Sequence, residues 1–170
     1  MNKMNKNLKN YFLPICLIIV LSFSRLIPHP WNFTPVLAMG IFSGFYFKNF
    51  ILGSFVVVFS MFVGDLFLGF HSTMFFTYTS LIIAVVLGRL IKKFKFTEIL
   101  FYGLASSVCF FLVTNFGAWL TLEMYEKNLA GLFQSYVLAI PFFHNTLIST
   151  LFYLIILKLL FIFVVKKQIA

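Results

Sequence analysis

Ten of the 13 Lys and Arg residues of this chain sit in alternate gaps between, or at the ends of, long apolar runs, and that alternation constrains the fold more than any motif. A spanning helix needs roughly 20 apolar residues at about 1.5 Å rise each, and several runs reach or approach that length with hardly a charge inside. Hydrophobic residues make up 62% of the 170 positions and charged ones 10%, more oil than a soluble core can bury. The expected fold is therefore an all-α integral membrane protein, one transmembrane domain over residues 1–170 built as a six-helix bundle.

The runs are Tyr11 to Ile27, Pro35 to Phe47, Phe50 to Phe70, Ser72 to Leu90, Glu98 to Leu122 and Leu129 to Val165. Pro35 to Phe47 is short, so it either borrows Asn32 to Thr34 or meets a thinner, partly wet part of the bundle. The last run is long for one helix. Pro141 offers a break, which makes Leu129 to Ile140 interfacial or re-entrant and starts the sixth span at Pro141.

Six spans put both termini on one side. Lys3, Lys6, Lys9, Lys48, Arg89, Lys92, Lys93, Lys95, Lys166 and Lys167 all fall on one face, which the positive-inside rule makes cytoplasmic. Residues 1–10 and 166–170 are then cytoplasmic ends, and the expected location is the bacterial cytoplasmic (inner) membrane. Lys158 reads as a stem that snorkels to the same face. The net charge of +9 is spread over span ends without a basic helix, which speaks against a nucleic-acid partner. Ser22-Phe23-Ser24 is a weak signal-peptide cleavage pattern, but removing that run would upset the charge alternation. Cys16 and Cys109 both fall inside runs, which disfavours a disulfide framework or a zinc site. The 26 phenylalanines, with abundant Lys, Asn and Ile, follow a compositional bias more simply than an aromatic cage.

The polar residues inside the oil gather toward the extracytoplasmic half. Between the first two runs stand Arg25, His29 and Asn32, with Pro28, Pro30 and Pro35 fixing an irregular connection. This gap reads either as a rigid turn anchored by Trp31 or as a stiff loop presenting donors to a ligand. Asp65 lies about 7 Å below the outer end of its run at about 1.5 Å per residue, where it must be paired, hydrated or protonated. An internal salt bridge to Arg25 is one role for it; ligand contact or proton coupling is the other. Asn115, Trp119 and Glu123 follow one another at i, i+4 and form one expected stripe. His144 and Asn145 follow Pro141 and face the outer half of the bundle. Gly40 and Gly44 form a small-xxx-small pair that serves either packing inside the chain or docking of a separate membrane subunit. Arg25, His29, Asn32, Asp65, Asn115, Trp119, Glu123, His144 and Asn145 are thus the candidate substrate-binding residues of a pocket that opens outward, with Trp119 to stack and the asparagines to read polar groups.

The strings RLIPHPWNFTPVLAMGIFSG (Arg25 to Gly44), GD at Gly64-Asp65, GFH from Gly69, TNFGAW from Thr114, Tyr125, Gly131-Leu132 and IPFFHNT from Ile140 resemble a family of small uncharacterised bacterial membrane proteins described as candidate transport proteins. That family is similar in size and hydropathy to the substrate-binding S components of energy-coupling factor (ECF) transporters. The resemblance implies a six-helix protein that binds a vitamin-like solute and partners an ECF-type transmembrane and ATPase module. S components often meet that partner through small residues of the first span, whereas Tyr11 to Ile27 holds no alanine or glycine.

Function classes separate as follows. Transport of a small micronutrient comes first, with no cofactor and with ATP hydrolysis left to a partner, since no phosphate-cradling glycine loop is present. A membrane-embedded enzyme using Asp65, His71 and His144 comes lower, because no HExxH and no Ser-His arrangement of interpretable spacing is seen. A ligand-free scaffold or assembly subunit is the third class.

Overall fold

The computed structural model describes Phe12, Ile15, Cys16, Ile19, Val20 and residues 23–169, with side chains through residue 163. A 3-10 turn, Ser24–Leu26, precedes α1 (Val36–Phe47), α2 (Phe50–Leu68), α3 (Met74–Leu90), α4 (Phe96–Thr121) and α5 (Leu129–Ile169). All regular structure among the described residues is helical. Three helices are long and apolar enough to cross a membrane: α2, α4, and α5 over Leu129–Phe163.

The expected count of six is not reached among the described residues. Of the first run, Phe12, Ile15, Cys16, Ile19, Val20 and Phe23 are helical. Positions 11, 13, 14, 17, 18, 21 and 22 lie outside the described residues, as do Lys3, Lys6 and Lys9 and the side chains of Lys166 and Lys167.

Two boundaries differ from expectation. Asn32 to Thr34 do not extend α1, which begins after Pro35 and covers only about 18 Å at about 1.5 Å per residue. Asn32 has a left-handed backbone with φ of 59°, and Thr34 precedes a proline that disfavours helical dihedrals. Pro141 in turn does not divide the last run: α5 is continuous from Leu129 to Ile169, with the proline inside it. A proline removes one backbone donor, and in an apolar helix the neighbouring turns keep the rest of the ladder. Leu129 to Ile140 is therefore the first three turns of a helix about 60 Å long, roughly twice a hydrocarbon layer.

The short helix is the centre of the molecule. Every residue from Val36 to Gly44 is buried, and α1 packs against α2, α3, α4 and α5. Its tightest contact is with α3. Gly40 faces Ala84, a Cβ on Gly44 would overlap the Val85 carbonyl oxygen, and one on Gly88 would overlap the Ile41 carbonyl oxygen. These pairs advance together along both chains, so α1 and α3 run parallel with backbones in contact, and the Gly40/Gly44 pair serves packing inside the chain.

Parallel packing sets two negative helix ends side by side. Two cations answer this. The Lys48 ammonium donates to the carbonyls of Arg89 (3.1 Å) and Ile91 at the end of α3, while Arg89 Nε donates to the Lys48 carbonyl (3.2 Å) at the end of α1. Burial leads in pulling the Lys48 pKa below the ordinary lysine value, the Arg89 charge adds to it, and Glu98 opposes it. At this end Glu98 also accepts the backbone N–H groups of Lys92, Lys93 and Lys95, and Phe94 stacks on Phe45 with centroids 4.5 Å apart. Asn49 caps α2 by accepting the Leu52 N–H at 3.0 Å.

Candidate solute-binding cavity

A cavity of about 360 Å³ lies at the opposite end, beside the start of α1. That volume falls within the roughly 300–1,000 Å³ of small-molecule sites. Its walls come from every part of the fold: Arg25 and Asn32 before α1, Met61 on α2, Thr73 at the N-cap of α3 and Thr77 within it, Thr114 and Asn115 on α4, and Thr146, Ser149 and Thr150 on α5.

Arg25 is positioned from below. Its Nη1 donates to Asp65 Oδ1 at 3.0 Å and to Met61 Sδ at 2.8 Å, both on α2. Gly64 leaves room for this approach, since a Cβ there would stand 3.1 Å from Nη1. Asp65 is 1% exposed, and its second oxygen accepts from Tyr78 Oη on α3 at 2.8 Å. The acid is thus compensated twice, as a carboxylate in an apolar bundle requires. It does not line the cavity, whereas Arg25 does. Arg25 is the one permanently charged side chain in the lining among the described residues.

The loop between the 3-10 turn and α1 is tied to α5. Asn145 Nδ2 donates to the Trp31 carbonyl at 2.9 Å, Ser149 Oγ donates to the Asn32 carbonyl at 3.4 Å, and the Phe33 ring packs against Phe152 and Tyr153. The prolines supply stiffness, and α5 supplies the anchor. Trp31 stays 79% exposed with its edge to Phe142.

Three of the nine candidate residues line the cavity: Arg25, Asn32 and Asn115. Asp65 reaches it through Arg25, and Asn145 through the loop it holds. The remaining four do not join them. His29 and His144 are exposed and outside the lining. The expected stripe on α4 parts after Asn115: Trp119 turns its indole N–H to the Glu126 carbonyl at 2.9 Å, and Glu123 lies past the helix end at Thr121, exposed. Among the described residues no three His, Cys, Asp or Glu side chains gather into a metal-ligand group.

The sequence reading missed the threonines. Thr34, Thr73, Thr77, Thr114, Thr146 and Thr150 all line the cavity, Thr73/Thr77 and Thr146/Thr150 each one turn apart. Four of them spend the hydroxyl proton on their own helix: Thr77 on the Thr73 carbonyl (3.2 Å), Thr114 on Phe110 (2.7 Å), Thr146 on Phe142 (3.0 Å) and Thr150 on Thr146 (2.7 Å). Asn115 does likewise, its Nδ2 donating to the Phe111 carbonyl at 2.8 Å. Their oxygens remain as acceptors. The i, i+4 spacing of Thr73/Thr77 and Thr146/Thr150 puts each pair on one face but does not mark that face as a cavity wall. His71, which the sequence offers only within the enzyme alternative with Asp65 and His144, also lines the cavity and is hydrogen-bonded to Thr73 at 2.8 Å.

Helices with apolar outer faces around a polar cavity, the architecture of the described residues, define a class of small helical proteins rather than an activity. The chain belongs to the family of unknown function DUF6580, which matches residues 5–170. No curated protein and no solved structure matches it.

Proposed function

We propose that this protein spans the bacterial cytoplasmic membrane six times, both termini inside, and binds a small micronutrient or vitamin-like solute for uptake. The helical residues before the 3-10 turn supply the sixth span, and the alternation of basic gaps supports the orientation. The observation that carries the reading is the cavity itself: polar side chains from three helices and from the segments before α1 and α3 converge on a void inside an otherwise apolar bundle. Buried polar groups in such surroundings are expensive, and a bound solute is what their convergence serves.

The likeness to ECF S components supports a partner that supplies ATP hydrolysis. Gly40 and Gly44 are occupied by α3, so any such partner docks elsewhere. Mass spectrometry of small molecules released from gently purified protein tests the reading. A stoichiometric solute is the expected result; an empty protein that co-purifies with a stoichiometric membrane partner favours a scaffold subunit instead.

A further inference from the structure

We propose that the solute is a small organic acid, held by its carboxylate on the free edge of the Arg25 guanidinium, with its hydroxyl or N–H groups facing the threonine oxygens. The inference rests on the reading of the cavity as a solute site and adds the chemistry of the solute.

A guanidinium carries five donors, and among the described residues Arg25 uses only Nη1. Nε and Nη2 make no hydrogen bond among the described residues, although the side chain is only 14% exposed. Those two nitrogens form the parallel fork that matches a carboxylate. Asp65 does not take that fork: Tyr78 holds its Oδ2, and its Oδ1 meets Nη1 alone. The internal salt bridge therefore orients Arg25 and leaves its bidentate edge unclaimed.

Charge points the same way. No Asp or Glu lines the cavity among the described residues, so an ammonium group finds no anionic partner in the walls. Val36 and Leu37, the first residues of α1, also line it, and the positive end of that helix adds to the Arg25 field. One fixed cation suits a monoanion better than a phosphate dianion. Beyond Arg25 the walls offer back-bonded threonine oxygens and Asn115 Oδ1 as acceptors, with Asn32, Thr34 and the His71–Thr73 pair as groups that can donate or accept, mixed with Leu81 and Phe110. Such walls suit a body that has hydrogen-bond donors and some apolar surface.

The test uses the full chain in phosphatidylcholine nanodiscs with three probes of one shape: 4-hydroxybenzoate, 4-hydroxybenzamide and 4-hydroxybenzylamine. Titration calorimetry should give the acid at least a tenfold lower Kd, on the order of one charge-assisted bond, than the amide or amine. The double variant R25Q/D65N replaces the ion pair by amides without stranding a buried charge. It should lose that preference, so that 4-hydroxybenzoate and 4-hydroxybenzamide bind with Kd values within a few-fold of each other. Arg25→Lys keeps the charge without the fork and should weaken the acid by about tenfold as well. Equal affinity for the three probes, or preference for the amine, overturns the organic-acid inference and leaves the solute cavity standing. Competition by phosphatidylglycerol in the nanodisc that removes 4-hydroxybenzoate binding overturns it in favour of an anionic lipid headgroup. Saturable binding of no probe, together with an empty protein in the release experiment, overturns both.

Discussion

Arg25 Nη1 and Asp65 Oδ1 stand 3.0 Å apart and join the turn before α1 to the C-terminal part of α2, with the acid sealed beneath the base. Removal of either partner is therefore unequal. Arg25→Gln strands a carboxylate that is 1% exposed and should cost about 3–5 kcal/mol in unfolding free energy. Asp65→Asn leaves the more accessible guanidinium unpaired and should cost less, and R25Q/D65N should recover most of the loss. Thermal unfolding in detergent reads the order; a double variant less stable than R25Q would break it.

The α1/α3 contact predicts a ranking among glycines. Gly44→Ala and Gly88→Ala each drive a methyl group into a backbone carbonyl of the other helix and should destabilise by about 1–3 kcal/mol or more. Gly40→Ala meets the Ala84 methyl at 3.0 Å and should be milder. Melting temperatures of the three variants check the ranking, and Gly69→Ala is a useful contrast: its added Cβ meets nothing within 4 Å, but φ of 93° makes the substitution strained through the backbone alone.

Ala118 lines the cavity one turn below Leu122 and one above Thr114. Ala118→Phe should fill that wall, abolish the released small molecule, and leave the helical circular dichroism spectrum unchanged. Retention of a stoichiometric solute in this variant would separate the solute from the cavity.

The proposed orientation predicts a labelling pattern. In a background with Cys16 and Cys109 replaced by alanine, Glu123→Cys should react with a membrane-impermeant maleimide in intact cells. Lys93→Cys should react only after permeabilisation, because it lies at the basic end with Lys48 and Arg89. The reverse pattern would invert the topology.

Much of this was legible in the chain. The run Phe50 to Phe70 became α2 to within two residues, Arg25 and Asp65 found each other, and Gly40/Gly44 packed internally. These features depend on hydropathy, on the cost of a lone buried charge and on backbone size, all of which are local. The threonines were illegible for a physical reason. A threonine in an apolar helix satisfies its hydroxyl on its own backbone, so nothing in its neighbours marks it as lining a cavity until the crossing of helices is known. Trp119 misled in the opposite sense: its i, i+4 spacing from Asn115 is real, but the chain leaving α4 at Thr121 captures the indole. Pro141 carried a break signal that the continuous α5 ladder overrides.

The backbone contact between α1 and α3 has a mechanical corollary. Two helices that interlock through Gly40, Gly44 and Gly88, and whose ends are cross-clamped by Lys48 and Arg89, slide or part only by breaking the carbonyl contacts in their C-terminal halves. They form a stator. Whatever admits a molecule to the interior must be carried by the other walls, the α4–α5 hairpin or the proline loop hung from Asn145 and Ser149, and a crosslink there rather than along α1 is what would lock the protein shut.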